Sequence, residues 1–318
     1  MNIVELNGLK ITLGAPVQVA EGVGHCWFPQ MAMFSTGELI ASVSTDADAL
    51  ALAVTAQRIY TSEDLGQTWQ YRHTVTDAAL SVKIPRLNGD MVSVGWRPAP
   101  DPIGQWRTFA GPYVRYSDGG KKVDIESEGL RVEGYPRDIQ PEFQHNVLAG
   151  SINYGIQAFD GEALEVGGRL VTTVYGTFDG DPGYSTICLE SYDEGRNWRY
   201  LSVVAGPDIL PGKGHGPGEA TMCTLETGEL MCIMRLGGGR EFNLARSYSA
   251  DEGRSWSPVD WLPAFSVEPS LKRLSNGVLI ITAGRPGIYA WLSNDPRGES
   301  WQEVDLVAHH NEWASGPE

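Results

Sequence analysis

Basic residues are scarce in this 318-residue chain: 24 Lys and Arg against 40 Asp and Glu give a formal net charge of -16. Such a field repels polyphosphates and anionic membrane surfaces at long range, which excludes nucleic acid and membrane as general partners. Screening confines the field to about 8 Å at physiological salt, so a few converging arginines can still hold an anionic sugar. Cysteine is also sparse, and Cys26, Cys188, Cys223 and Cys232 show no CxxC spacing that would suggest a zinc site or a redox dithiol. Three of them, Cys188, Cys223 and Cys232, lie in apolar strand-like runs, where a thiol behaves as a small buried hydrophobe. No window approaches the roughly 18 apolar residues of a membrane helix, and Met1 to Gly14 has no basic segment followed by an apolar one. The chain therefore reads as cytoplasmic, or as periplasmic or secreted if a leader has been removed. The histidines are scattered, and the adjacent His309 and His310 would diverge on an extended strand, so no metal or cofactor is expected.

What the chain does have is glycine, 38 residues, and tryptophan, 10 residues, with few long helix-period stretches. That combination predicts many strands joined by tight turns, an all-β fold. An internal repeat gives the organisation. The octapeptides Ser62 to Trp69, Ser191 to Trp198 and Ser249 to Trp256 share the pattern Ser-x-Asp-x-Gly-x-Thr/Ser/Asn-Trp. A fourth copy, Ser293 to Trp301, carries one extra residue, and a fifth, Tyr116 to Val123, keeps only Asp118 and Gly120. The residue types describe a hairpin turn: Asp accepts from nearby amides, Gly takes a positive φ, and Trp folds back over an apolar face.

A second repeat runs in register with the first. Apolar strands flank turn glycines at Gly37, Gly89, Gly228 and Gly277, and at Gly168 in a weaker copy. Each unit then reads as a four-stranded antiparallel blade, and five turn motifs imply at least five blades.

These octapeptides resemble the Asp-boxes, or BNR repeats, of the sialidase (neuraminidase) superfamily, and Phe28-Pro29-Gln30-Met31 resembles the opening blade of that family. The resemblance spans nearly the whole chain and implies a single domain, residues 1–318, folded as a six-bladed β-propeller of sialidase type. The nucleophilic Tyr of the family would open the last blade, and it has no counterpart before Glu318. That blade is either incomplete, or completed by the amino-terminal strand within residues 3–19, or missing from a five-bladed variant.

The resemblance also implies a site. Trp27 stands where the first of three carboxylate-binding arginines would be, with His25 beside it, which points away from ordinary sialic acid. Glu219, nine residues before Gly228, matches the Glu that activates the nucleophile, and Arg235 matches the second arginine. Glu268 has the same register before Gly277, and Arg285 matches the third arginine. Asp48, with Asp46 as the alternative, matches the loop acid/base. His215 precedes Glu219 in a Gly-rich segment. Trp96, Arg97, Trp106, Arg107, His145 and Tyr184 are further candidates to line the mouth. The implied function is a glycosidase acting next to an acidic or modified sugar, with Asp48 and Glu219 as catalytic carboxylates and Trp27, His25, His215, Arg235, Glu268 and Arg285 binding the carbohydrate. The alternatives are a non-catalytic glycan-binding propeller and a protein-interaction propeller.

Overall fold

The computed structural model describes residues 2–6, 8–21, 26–45, 56–76, 80–95, 98–101, 106–140, 156–159, 161–210, 216–237, 243–264 and 266–316. Among these it is nearly all β, with one short helix. Strands β1 (Asn2–Leu6) and β2 (Leu9–Leu13) pair only with each other. The first four-stranded unit comprises β3 (Trp27–Met33), β4 (Leu39–Ser44), β5 (Ala56–Ser62) and β6 (Gln70–Thr76), antiparallel in chain order. The second comprises β7 (Val82–Pro85), β8 (Met91–Val94), β10 (Phe109–Ser117) and β11 (Lys122–Glu133), with the short β9 (Ala99–Pro100) beside β10. In the third, β12 (Ile156–Phe159) and β13 (Leu164–Val166) both pair with β14 (Arg169–Gly176), followed by β15 (Ser185–Ser191) and β16 (Asn197–Ala205). Parallel pairing of β11 with β16 joins the second and third units at their outer edges. The fourth holds β17 (Gly216–Thr224), β18 (Leu230–Gly237), β19 (Ala245–Ser249) and β20 (Asp260–Trp261), and the fifth β21 (Val267–Arg273), β22 (Leu279–Gly284), β23 (Ile288–Ser293) and β24 (Gln302–Asp305).

The central strands are apolar on both faces because both faces are covered. In β18, Leu230, Cys232, Met234 and Leu236 pack on the third unit, while Met231 and Ile233 pack on the fifth. Such a strand reads as a continuous hydrophobic run rather than an alternation. Separate apolar seams of this kind join units one and two around Phe34, Ile40 and Met91, and units two and three around Phe109, Phe159 and Trp198. The outer face of the fifth unit is covered instead by Leu9, Ile11 and Leu13 of the amino-terminal hairpin. Cys188, Cys223 and Cys232 are buried in these seams, and burial pushes the Cys188 and Cys223 thiols up to about 12.

The octapeptide turns share one hydrogen-bond pattern. Ser62 Oγ donates to Asp64 Oδ1 (2.8 Å) and accepts from the Gly66 amide (2.8 Å), while Asp64 Oδ1 accepts from the Thr68 amide (2.8 Å). The copies at Ser191 and Ser249 repeat it. Two successive residues take left-handed backbone, Leu65 and Gly66 in the first copy, which reverses the chain tightly enough for Trp69 Nε1 to reach the Gly66 carbonyl at 3.0 Å. The adjacent histidines His309 and His310 differ from expectation: they lie on the helix α1 (Leu306–Ala314) rather than on a strand. Asp305 caps that helix by accepting from the Ala308 amide at 2.9 Å, and no Gly or Pro interrupts the segment before Gly316. No helix among the described residues is long and apolar enough to cross a membrane.

Candidate functional site

The first strands of units one, four and five carry the same irregularity. Pairing of β3 with β4, β17 with β18, and β21 with β22 slips between Trp27 and Gln30, Gly218 and Thr221, and Val267 and Ser270. At each bulge one residue takes positive φ: Phe28 at 49°, Glu219 at 42° and Glu268 at 52°. Non-glycine residues adopt this conformation at a strain of order 1–3 kcal/mol, and a bulge re-aims the side chain it carries. All three residues stand nine positions before the turn glycine of their unit, so the repeat positions them equivalently.

The bulges bring the two glutamates together. Arg235 Nη1 donates to Glu219 Oε1 at 2.5 Å, and the Glu268 amide donates to Glu219 Oε2 at 2.9 Å, so both carboxylate oxygens of Glu219 accept. Glu268 Oε1 in turn accepts from Gln30 Nε2 at 3.1 Å, and Gln30 Oε1 accepts from Lys83 Nζ at 2.6 Å. This chain of contacts runs through units two, one, five and four. Burial opposes the charge on Arg235, but the Glu219 carboxylate, with smaller contributions from Tyr175 and Glu268, more than offsets it and holds the guanidinium above its ordinary value. Tyr175 reaches this end of the molecule from β14, with its ring edge-on to Tyr184 at 5.1 Å and against the glycine backbone at Gly218.

Of the residues singled out in the sequence, Glu219, Arg235 and Glu268 therefore meet. Arg285 lies one residue past β22, exposed in the turn before β23, with φ 55°. Trp27 belongs to β3, paired with Ser44. Asp46, Asp48, His25, His215, Trp96, Arg97 and His145 lie outside the described residues. Trp106 packs against the seam of units two and three, and Arg107 is paired with Asp138. Gln30, Lys83 and Tyr175 were missed. The available signal was a lone lysine in the apolar run Ser81-Val82-Lys83-Ile84, a charge that breaks the pattern of a buried strand.

A groove of about 630 Å³ lies among the opposite turns of units two and three, near Arg86, Arg115, Arg169 and Tyr192. Arg86 is paired there with Glu194, and Arg169 with Glu190 and Glu252, so two of its three arginines serve as ties between turns. Among the described residues no group of three His, Cys, Asp or Glu side chains is placed to hold a metal ion.

No protein-family model and no curated protein matches the sequence. Solved structures do. A protein of unknown function from Dyadobacter fermentans is 20% identical, with 89% of this chain and 83% of that one covered and a TM-score of 0.63. An α-L-arabinanase of Penicillium chrysogenum, complexed with arabinobiose, is 17% identical over 88% of this chain and 80% of its own, with a TM-score of 0.56. A variant of the NanB sialidase of Streptococcus pneumoniae is 13% identical over 89% of this chain and 61% of its own, with a TM-score of 0.52. At such identities the likeness shows the fold alone: this chain shares the propeller architecture of sialidase-like glycoside hydrolases.

Proposed function

We propose that the chain is a sialidase-like glycoside hydrolase, acting on a glycosidic bond next to an acidic or modified sugar other than ordinary sialic acid. The observation that carries this reading is the meeting of Glu219 and Glu268, at strained bulges of neighbouring units, with Arg235 of β18 paired to Glu219, on a fold shared with glycosidases. Glycoside cleavage needs one carboxyl group to protonate the leaving oxygen and another group to supply or activate the nucleophile. Glu219, accepting at both oxygens, takes the base role, and Asp48 takes that of the acid. Arg235, Arg285, Glu268, Trp27, His25 and His215 orient the sugar. Trp27 in place of an arginine favours stacking on a ring face over gripping a carboxylate. The chain is read as one domain over residues 1–318, with six positions around the axis. The amino-terminal hairpin, covering the outer face of the fifth unit, supports its assignment to the sixth.

The commitment of Arg235 to Glu219 favours one competing reading, a glycan-binding propeller without turnover. Chromogenic sialyl, uronyl and neutral glycosides separate the two. Release from at least one acidic or modified glycoside is expected, falling roughly a hundredfold or more in Glu219→Gln. Retention on a glycan array with no release at high enzyme concentration would establish the binding module instead.

A further inference from the structure

We propose that Lys83 is a positioning residue that, through Gln30, fixes Glu268 at the mouth. This rests on the site described above but not on turnover. Lys83 is only 6% exposed, on the first strand of unit two, and its ammonium reaches across the seam to a side chain of unit one. A lysine is almost never buried so deeply unless its charge is held. Here the seam is polar at that end: Ser42 and Ser44 of β4, Ser81, and Ser93, which pairs with Lys83, are all buried. The Oγ atoms of Ser42, Ser44 and Ser81 hold no hydrogen bond among the described residues, so the hydroxyls are not explained by bonds to one another. The lower part of the same seam is apolar, built from Phe34, Ile40, Ile59 and Met91. A buried lysine beside buried hydroxyls that lack partners is costly for stability alone.

The consequence lies in the asymmetry of an amide. The two ends of the Gln30 side chain are nearly the same size, but one accepts and the other donates. Lys83 can only donate, so it draws Oε1 to itself and turns Nε2 toward Glu268. Without the ammonium Oε1 loses this donor, and the Glu268 carboxylate alone is left to hold the amide in that orientation. Lys83 thus acts on Glu268 through Gln30, across three units.

The test reads Gln30 directly. In the full-length, ¹⁵N-labelled protein, the Gln30 side-chain amide is assigned by its loss in Gln30→Met. Its resonances are expected to move toward the free-amide position in Lys83→Met and to stay near their original position in Lys83→Arg. KM for the cleaved glycoside is expected to rise about tenfold in Lys83→Met, with kcat less affected, and to recover in Lys83→Arg. Gln30→Glu supplies a second route should Lys83→Met fold poorly. It keeps a partner for Lys83 but faces Glu268 with a like charge, and KM should rise with the melting temperature retained. An unchanged Gln30 amide in folded Lys83→Met, or an unchanged KM in Gln30→Glu, overturns the proposal. Because the amide signal needs no substrate, an intact relay in a protein without turnover removes the glycosidase reading and leaves this one standing.

Discussion

Gly216 opens β17 with φ 94°, and a Cβ there would lie 2.4 Å from the Tyr184 carbonyl oxygen and 2.8 Å from its amide nitrogen. Both obstacles are backbone, so neither can swing aside. Gly228, in the turn that follows β17, has nearly the same φ, 87°, but open space where a Cβ would stand. The pair separates two effects that a single glycine substitution confounds. Gly228→Ala should lower stability by roughly 1 kcal/mol, the strain of an L-residue in left-handed backbone. Gly216→Ala adds a steric clash and should lower it by about 3 kcal/mol. Because Glu219 lies three residues further along the same strand, Gly216→Ala should also reduce any activity of the mouth, whereas Gly228→Ala should not. Urea melts of both variants beside the parent protein give the comparison, and equal losses would mean that the seam beside Tyr184 yields.

At the scale of the element, the repeated turn makes a pH-dependent contribution. Hydrogen bonds from the Thr68 hydroxyl and amide, and from Ser62, hold Asp64 at about 2, and those from Ser255 and Ser249 do the same for Asp251. Asp193 is lowered as well: burial opposes its charge, and Asn197 and Ser191 outweigh that. A carboxyl whose folded value lies below its ordinary 3.8 stabilises the fold above that value and loses the contribution as pH falls toward 2. Asp251→Asn should therefore be less stable than the parent at neutral pH, by about 1 kcal/mol for the lost charge-assisted bonds at an exposed turn, and the difference should close between roughly pH 4 and pH 2. Thermal melts across that range check it, and a gap independent of pH would mean that shape rather than charge matters. These turns were legible in the sequence because their partners lie two to four residues apart. Glu219 and Glu268 were legible for a related reason: a fixed count from a turn glycine sets their place on the strand. The Lys83 to Gln30 to Glu268 relay was not, since its contacts join residues 53 and 238 positions apart and depend on how the units face one another.

At the scale of the whole molecule, the Gln30 to Glu268 contact ties the first unit to the fifth, while the outer face of the fifth unit is left to the amino-terminal hairpin. The sequence offered an amino-terminal strand within residues 3–19 as one way to complete the last blade, but not a hairpin packed on the fifth unit, because a short amphipathic strand carries no mark of which sheet it will cover. The face it meets, Val278, Ala290, Leu292 and Val304, is as apolar as the seams between units, and His309 of α1 adds a contact to the Gly14 carbonyl at 2.9 Å. If the hairpin belongs to the ring, placing a charge at its centre should be felt by the whole fold. Ile11→Asp sets a carboxylate against Val278 and its neighbours, which pack there as an apolar cluster. The expected result is a loss of roughly 2–4 kcal/mol in cooperative stability and faster proteolysis in residues 8–21. Lys10→Asp, one position along on the exposed face of the same strand, is the control and should melt within about 0.5 kcal/mol of the parent. Were Ile11→Asp to melt like that control while its hairpin is clipped, the hairpin would be an appendage. The fold would then be held by the five larger units alone, and the sixth position would have no occupant in the described chain.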